Sequence, residues 1–211
     1  FNKQTAISLL KDSWPLVLVG TASMINMRMD QVLLGNMLSK DVVGNYAVAV
    51  RIAEVWLILP GIIGGSIYPA LINAKKHSAT LYKNRILSTI KYMSIFAVPT
   101  AIIVSIFSSN IINFLYSEKF IDAGNFLALY IWTGVPYLVF FAVNQVSLIE
   151  NLTKLSFYVT LLSVTLNILL NIILIPIYSG IGAIMATLIT TLSSTTLSII
   201  LINNRNQILW N

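Results

Sequence analysis

The chain has 211 residues, of which 57% are hydrophobic and only 9% charged, against about 25% charged in a soluble domain. At a mean hydropathy of +0.83 a soluble fold would have too little polar surface to cover itself, and the apolar residues fall in blocks of about 20, the length that crosses a bilayer. The absence of cysteine and the single histidine, His77 in a polar stretch, exclude thiolate chemistry and a histidine-rich metal site, and the net charge of +6 is carried at helix ends rather than in an aromatic-interleaved motif for nucleic acid.

From the N-terminus, Phe1 to Asp12 has no apolar core ahead of a cleavage site, so it reads as no signal peptide. The chain is expected to begin inside a longer protein. Six apolar spans follow: Trp14–Met37, Val43–Leu71, Tyr92–Leu115, Asn125–Ile149, Leu155–Tyr178 and Gly180–Ile202. A segment crossing lipid alone must satisfy its own backbone hydrogen bonds, which predicts helices. A barrel would show short strands of alternating polarity, and these blocks are long and continuous. The predicted fold is therefore an all-α integral membrane bundle of six helices over residues 1–211.

Short links at Ser39-Lys40-Asp41, Asn151 to Lys154 and Ser179-Gly180 predict antiparallel neighbours. Longer connections run from Ile72 to Lys91 and from Ser117 to Gly124. With the N-terminus cytoplasmic, the inner side carries Lys3, Lys11, Lys75, Lys76, Lys83, Arg85, Lys91, Lys154 and Arg205, and the outer side only Lys40 and Lys119. Positive loops stay in the cytoplasm, so both ends are expected there.

The first two spans hold four charges: Arg28, Asp30, Arg51 and Glu54. Each costs at least a few kcal/mol within a span, so such residues face a bundle interior or an aqueous cavity. Measured from the turn at Lys40 with about 1.5 Å of rise per residue, Asp30 and Arg51 lie roughly 15 and 16 Å deep, Arg28 and Glu54 roughly 18 and 21 Å. An antiparallel pair then brings Asp30 level with Arg51 and Arg28 level with Glu54. Arg51 and Glu54 share a helical face, whereas Arg28 and Asp30 lie about 200° apart and cannot point the same way. Two readings stay open: buried ion pairs that fix packing, or a cavity in which Arg28 or Arg51 is free for an anion. Two guanidiniums suit a phosphate-bearing ligand, which arginine grips with two parallel hydrogen bonds. Asn26, four residues before Asp30, and Gln31 beside it extend the same candidate site.

The second span continues through Pro60, Gly61, Gly64, Gly65 and Pro69. Gly61 and Gly65 have the spacing of a small-residue packing face. The prolines bend a helix, and transporters use broken helices at their sites, so these five residues are the hinge candidates. Pro99 and Pro136 are placed to kink the third and fourth spans. Polar residues at Asn144 and Gln145, at Thr160, Ser163, Asn167 and Asn171, and at Ser193 to Thr196 suit hydrogen bonding between membrane helices, with a sugar-contacting wall as the alternative. Tyr92, Tyr116, Trp132 and Tyr178 lie at span ends, where aromatics anchor helices at the interface.

Several runs resemble a known family. They are Ser13-Trp14-Pro15-Leu16; Met27 to Gly35 (MRMDQVLLG); Val43 to Trp56 (VGNYAVAVRIAEVW), with Pro60 and Tyr68-Pro69-Ala70 after it; and Gly180 to Thr187 (GIGAIMAT). The resemblance is to the C-terminal half of repeat-unit polysaccharide flippases, of the multidrug, oligosaccharidyl-lipid and polysaccharide exporter superfamily. It is specific in residues 13 to 76. It implies the second lobe of a two-lobe transporter that moves an undecaprenyl-diphosphate-linked oligosaccharide across the bacterial cytoplasmic membrane by alternating access, for surface polysaccharide such as O-antigen or capsule. The implied partners are that lipid-linked oligosaccharide, membrane lipids and the N-terminal lobe. It carries Arg28, Asp30, Arg51 and Glu54 over as positions matching the charged motifs.

Two other functions remain in competition. A cation-coupled multidrug exporter of the same superfamily should show an acidic cavity, whereas the charges here balance. A membrane enzyme of polysaccharide assembly needs an acid/base or nucleophile cluster near the membrane surface, and the sequence offers no histidine in a span and no nucleophile–base pair. Neither a catalytic residue nor a cofactor is expected.

Overall fold

The computed structural model describes the backbone of residues 3–56, 58–116 and 120–206, and their side chains except at 3–13, 15, 16, 56, 59, 60, 62, 205 and 206. The side chains of Lys3, Lys11, Pro15, Trp56, Pro60 and Arg205, and the whole of Lys119, lie outside the described residues. The described residues are almost entirely helical, with no strand among them.

Helix α1 runs Lys3–Met37. After Ser39, α2 occupies Lys40–Trp56, with Asp41 in its first turn, where a negative charge suits the helix dipole. α3 is Ile58–His77 and ends on Lys75, Lys76 and His77, the favourable sign for a C-terminus. Ser78 then caps α4, Ala79–Leu115, by accepting from the Leu81 amide. The connection expected between Ile72 and Lys91 is thus helical on both sides of Ser78. At 37 residues, α4 is about 55 Å long, well beyond the roughly 30 Å hydrocarbon layer. Its polar first turns, with Lys83 and Arg85, extend past the apolar stretch without ending the helix.

The fourth apolar stretch is divided into α5, Ala123–Tyr130, a 3₁₀ turn at Ile131–Thr133, and α6, Gly134–Ile149. Pro136 stands in the first turn of α6, where a missing N–H leaves no intrahelical bond unmade. α7, Thr153–Tyr178, and α8, Gly180–Asn206, form an antiparallel hairpin. Ser179 turns it with a positive φ of 56°. A Cβ on Gly182 would run into the Leu174 carbonyl of α7, so the hairpin closes only around glycine there.

Among the described residues, four helical stretches are long and apolar enough to cross a membrane: α4, α5 through α6, α7 and α8. Six spans were expected; α1 and the α2–α3 stretch are not among the four, and they hold Arg28, Asp30, Arg51 and Glu54. Apolar side chains cover the outside of the bundle as well as filling its interior. Phe114 is 89% exposed, and Ile106, Phe107, Leu162, Ile173 and Ile177 are also turned outward, a surface that suits lipid.

The interior is layered along the bundle. At the α1–α2 turn, Leu34, Tyr46, Val50, Ile112, Leu127, Ile175 and Ile184 pack together. Met93, Ala97, Leu138 and Ala142 form the middle. Leu71, Tyr82, Ile86, Val143, Val146 and Ile202 fill the other end. α5 is tied to α2 by a long-range cap. The Asn45 side-chain oxygen accepts from the Ala123 amide at 3.0 Å, while Asp122, next in line to α5, makes no side-chain cap.

Candidate functional site

The α1–α2 pair separates its four charges into an open face and a buried one. On the open face, Arg28 Nη2 lies 3.2 Å from Glu54 Oε2, with the side chains 58% and 19% exposed. One turn from Glu54, Arg51 is exposed and forms neither hydrogen bond nor ion pair with any described residue. Arg28, Gln31, Ala47, Val48, Arg51 and Glu54 surround a cavity of about 330 Å³. Two guanidiniums face one carboxylate there. Arg28 is the more exposed partner of its ion pair, and Arg51 lines the cavity with no ion pair to a described residue.

Asp30 is on the other side. It is 3% exposed and accepts from the Tyr46 hydroxyl and, at 2.8 Å, from the Gln31 amide. Tyr46 is itself fully buried, edge-on to Phe126 and Tyr130 of α5 at centroid distances of 6.1 and 6.0 Å. The expected Asp30–Arg51 pair is therefore corrected. Asp30 turns into the bundle, and Arg51 is exposed. The Arg28–Glu54 pair forms as depth implied.

Asn26 is not brought to the cationic cavity. It lines a second one, of about 190 Å³, with Ser23, Tyr137, Asn144, Thr160, Ser163 and Ser194 among the walls from α1, α6, α7 and α8. Its side-chain oxygen is buried without a hydrogen-bond partner among the described residues. Of the polar stripe on α7, Thr160 and Ser163 reach this cavity. Asn167 and Asn171 are buried and bond each other at 2.9 Å.

The hinge candidates all fall in α3. The helix continues through Pro69 to His77. The small-residue face is corrected: Gly61 and Gly65 have open space where a Cβ would stand, and the close approach is at Gly64, whose Cβ would meet Phe141 of α6 at 2.6 Å.

Sequence reasoning passed over Tyr46 and Asn45. The available signal was a tyrosine in the interior of a span rather than at its end, since a buried phenol needs an acceptor.

Residues 1–125, which include every residue around the cationic cavity, match the family described as polysaccharide biosynthesis protein. The chain is also 27% identical over 170 residues to the "Probable flippase AglR" of Haloferax volcanii, a match covering 77% of this chain and 35% of that protein. The chain thus spans about a third of the length of the curated relative it matches. With apolar membrane-length helices and a family match over more than half its residues, this chain is a multi-pass membrane protein that belongs to the polysaccharide biosynthesis protein family.

Proposed function

We propose that the chain is the C-terminal lobe of a transporter that flips a lipid-diphosphate-linked oligosaccharide across the cytoplasmic membrane, for surface polysaccharide. The observation that carries this reading is the cavity between α1 and α2. Arg51 faces it without a partner among the described residues, Arg28 faces it in a half-open ion pair, and Asp30 is withdrawn behind Tyr46. A diphosphate needs a cationic, bidentate partner that does not itself lose a proton, which arginine provides. The family match and the flippase relative support a transporter over an enzyme.

In this reading Arg28, Arg51 and Gln31 hold the diphosphate and its first sugar, and Glu54 keeps Arg28 in place between cycles. The second lobe of a two-lobe bundle covers the open face. The lobe changes its tilt at α3, through Pro60, Gly61, Gly65 and Pro69, to alternate access. Both ends of the segment lie in the cytoplasm in this reading, which the lysine and arginine distribution supports. A cation-coupled drug exporter is the second reading, and Asp30 would be its coupling carboxylate. Against it, Asp30 lies outside the cavity lining and is satisfied by two donors.

The test is complementation by the native full-length protein in a host that makes the source organism's own polysaccharide and lacks its repeat-unit flippase. Flipping predicts restored surface polymer and a fall in internal lipid-linked repeat units. Persistence of the internal intermediate, with the protein present in the membrane, contradicts it.

A further inference from the structure

We propose that the groove between α3 and α4 seats an acyl chain of an anionic phospholipid whose phosphate is held at Arg85. The groove has a volume of about 520 Å³ and is lined by Ile63 and Ile67 of α3 and by Thr89, Tyr92, Met93 and Phe96 among the residues of α4. Its walls are almost wholly apolar, and it opens along the outer face of the bundle, where Tyr92 is 69% exposed. Along α4, Arg85, Thr89, Tyr92 and Phe96 fall on one helical stripe. Arg85 thus stands directly beyond the end of the groove, one turn from Thr89 and about 10 Å from Tyr92 along the axis. Tyrosine favours the membrane interface, so the groove starts at that level and runs toward the acyl chains, with the cation on its headgroup side.

Arg85 is free for the role. It is exposed, and its guanidinium makes no hydrogen bond or ion pair with any described residue. Lys75, by contrast, is engaged by Glu150 at 2.8 Å and by the Ile149 carbonyl. The surroundings raise the local positive potential, with Lys76 in the last turn of α3 and Lys91 beside Tyr92 on α4. A basic site at the end of an apolar groove between membrane helices selects an anionic lipid over a zwitterionic one of equal chain length. The occupant would hold α3 and α4 together at the level where α3 carries its prolines and glycines. This site is separate from the cationic cavity, and the proposal does not depend on what that cavity transports.

The experiment is native mass spectrometry of the full-length protein taken from vesicles of equimolar palmitoyl-oleoyl phosphatidylglycerol and phosphatidylcholine. The wild type should retain phosphatidylglycerol several-fold over phosphatidylcholine. Arg85→Gln should abolish the preference, and Ile95→Trp, at the groove wall, should lower retention of both lipids. Lys83→Gln, on the opposite side of the helix, should behave as the wild type. Thermal midpoints in detergent establish that each variant is folded, and Arg85→Gln, an exposed substitution, suffices if Ile95→Trp is not. No retained lipid in the wild type overturns the proposal, as does an equal loss in Arg85→Gln and Lys83→Gln. Exclusion of phosphatidylglycerol by an equimolar isoprenyl phosphate would give the groove to a different occupant and overturn it too.

Discussion

The hydroxyl of Tyr46, on α2, donates to the carboxylate of Asp30, on α1, and both side chains are buried. This bond joins the two helices at the level of the cationic cavity but behind it, which leaves Arg51 uncompensated in front. We predict that Tyr46→Phe, which leaves a buried acceptor unsatisfied, destabilises the protein by about 1–3 kcal/mol, read as a lower thermal midpoint in detergent. Asp30→Asn combined with Tyr46→Phe should lose less than the sum of the single changes. Coupling of Asp30→Asn to Arg51→Gln instead would show the two charges paired.

Glu54→Gln should behave differently. Its partner Arg28 is 58% exposed, and exposed pairs contribute about 0–1 kcal/mol. The thermal midpoint should therefore change little, and surface polymer should persist, because the cavity keeps both arginines. A destabilisation as large as that of Tyr46→Phe would contradict the assignment of Glu54 to the open face.

Asn45→Ala removes the acceptor for the Ala123 amide at the start of α5. No side chain at Asp122 replaces it, so the expected loss is about 1 kcal/mol, the usual value of a helix cap. Asn45→Asp keeps the acceptor oxygen but loses the amide donor to the Asp41 carbonyl, at 2.9 Å, in a buried position, and should recover only part of the midpoint.

Alanine at the glycines should follow a definite order. Gly182→Ala meets the α7 backbone, which cannot move aside, and should be the most damaging, at about 3 kcal/mol. Gly64→Ala meets the ring of Phe141, which borders the second cavity and can shift into it, so about 1 kcal/mol is expected. Gly61→Ala and Gly65→Ala enter open space and should stabilise α3 slightly, by up to about 1 kcal/mol. Measured thermal midpoints check the order. Loss of transport in Gly65→Ala at full stability would support a hinge in α3.

The sequence makes the level of each charge legible, because rise along a helix is fixed, and so Arg28 finds Glu54. It does not make direction legible. Which way Asp30 turns depends on Phe126 and Tyr130 in α5, which pack on Tyr46 from far along the chain. The apolar stretch begins near Tyr92, but the helix itself begins at Ala79, since polar residues propagate a helix as well as end one. The glycine spacing in α3 suggested Gly61 and Gly65 as the packed pair. The contact falls at Gly64 because Phe141 reaches there, a relation between helices that no spacing within one helix encodes.

The cationic cavity is tested most directly at Arg51, by measuring lipid-linked repeat units accumulated inside cells that carry Arg51→Lys or Arg51→Glu in the native full-length protein at matched membrane abundance. The proposed role predicts wild-type or modestly raised intermediate for Arg51→Lys, and for Arg51→Glu an accumulation equal to that of cells without the protein, with surface polymer lost. Wild-type levels of both intermediate and polymer in Arg51→Glu would contradict it.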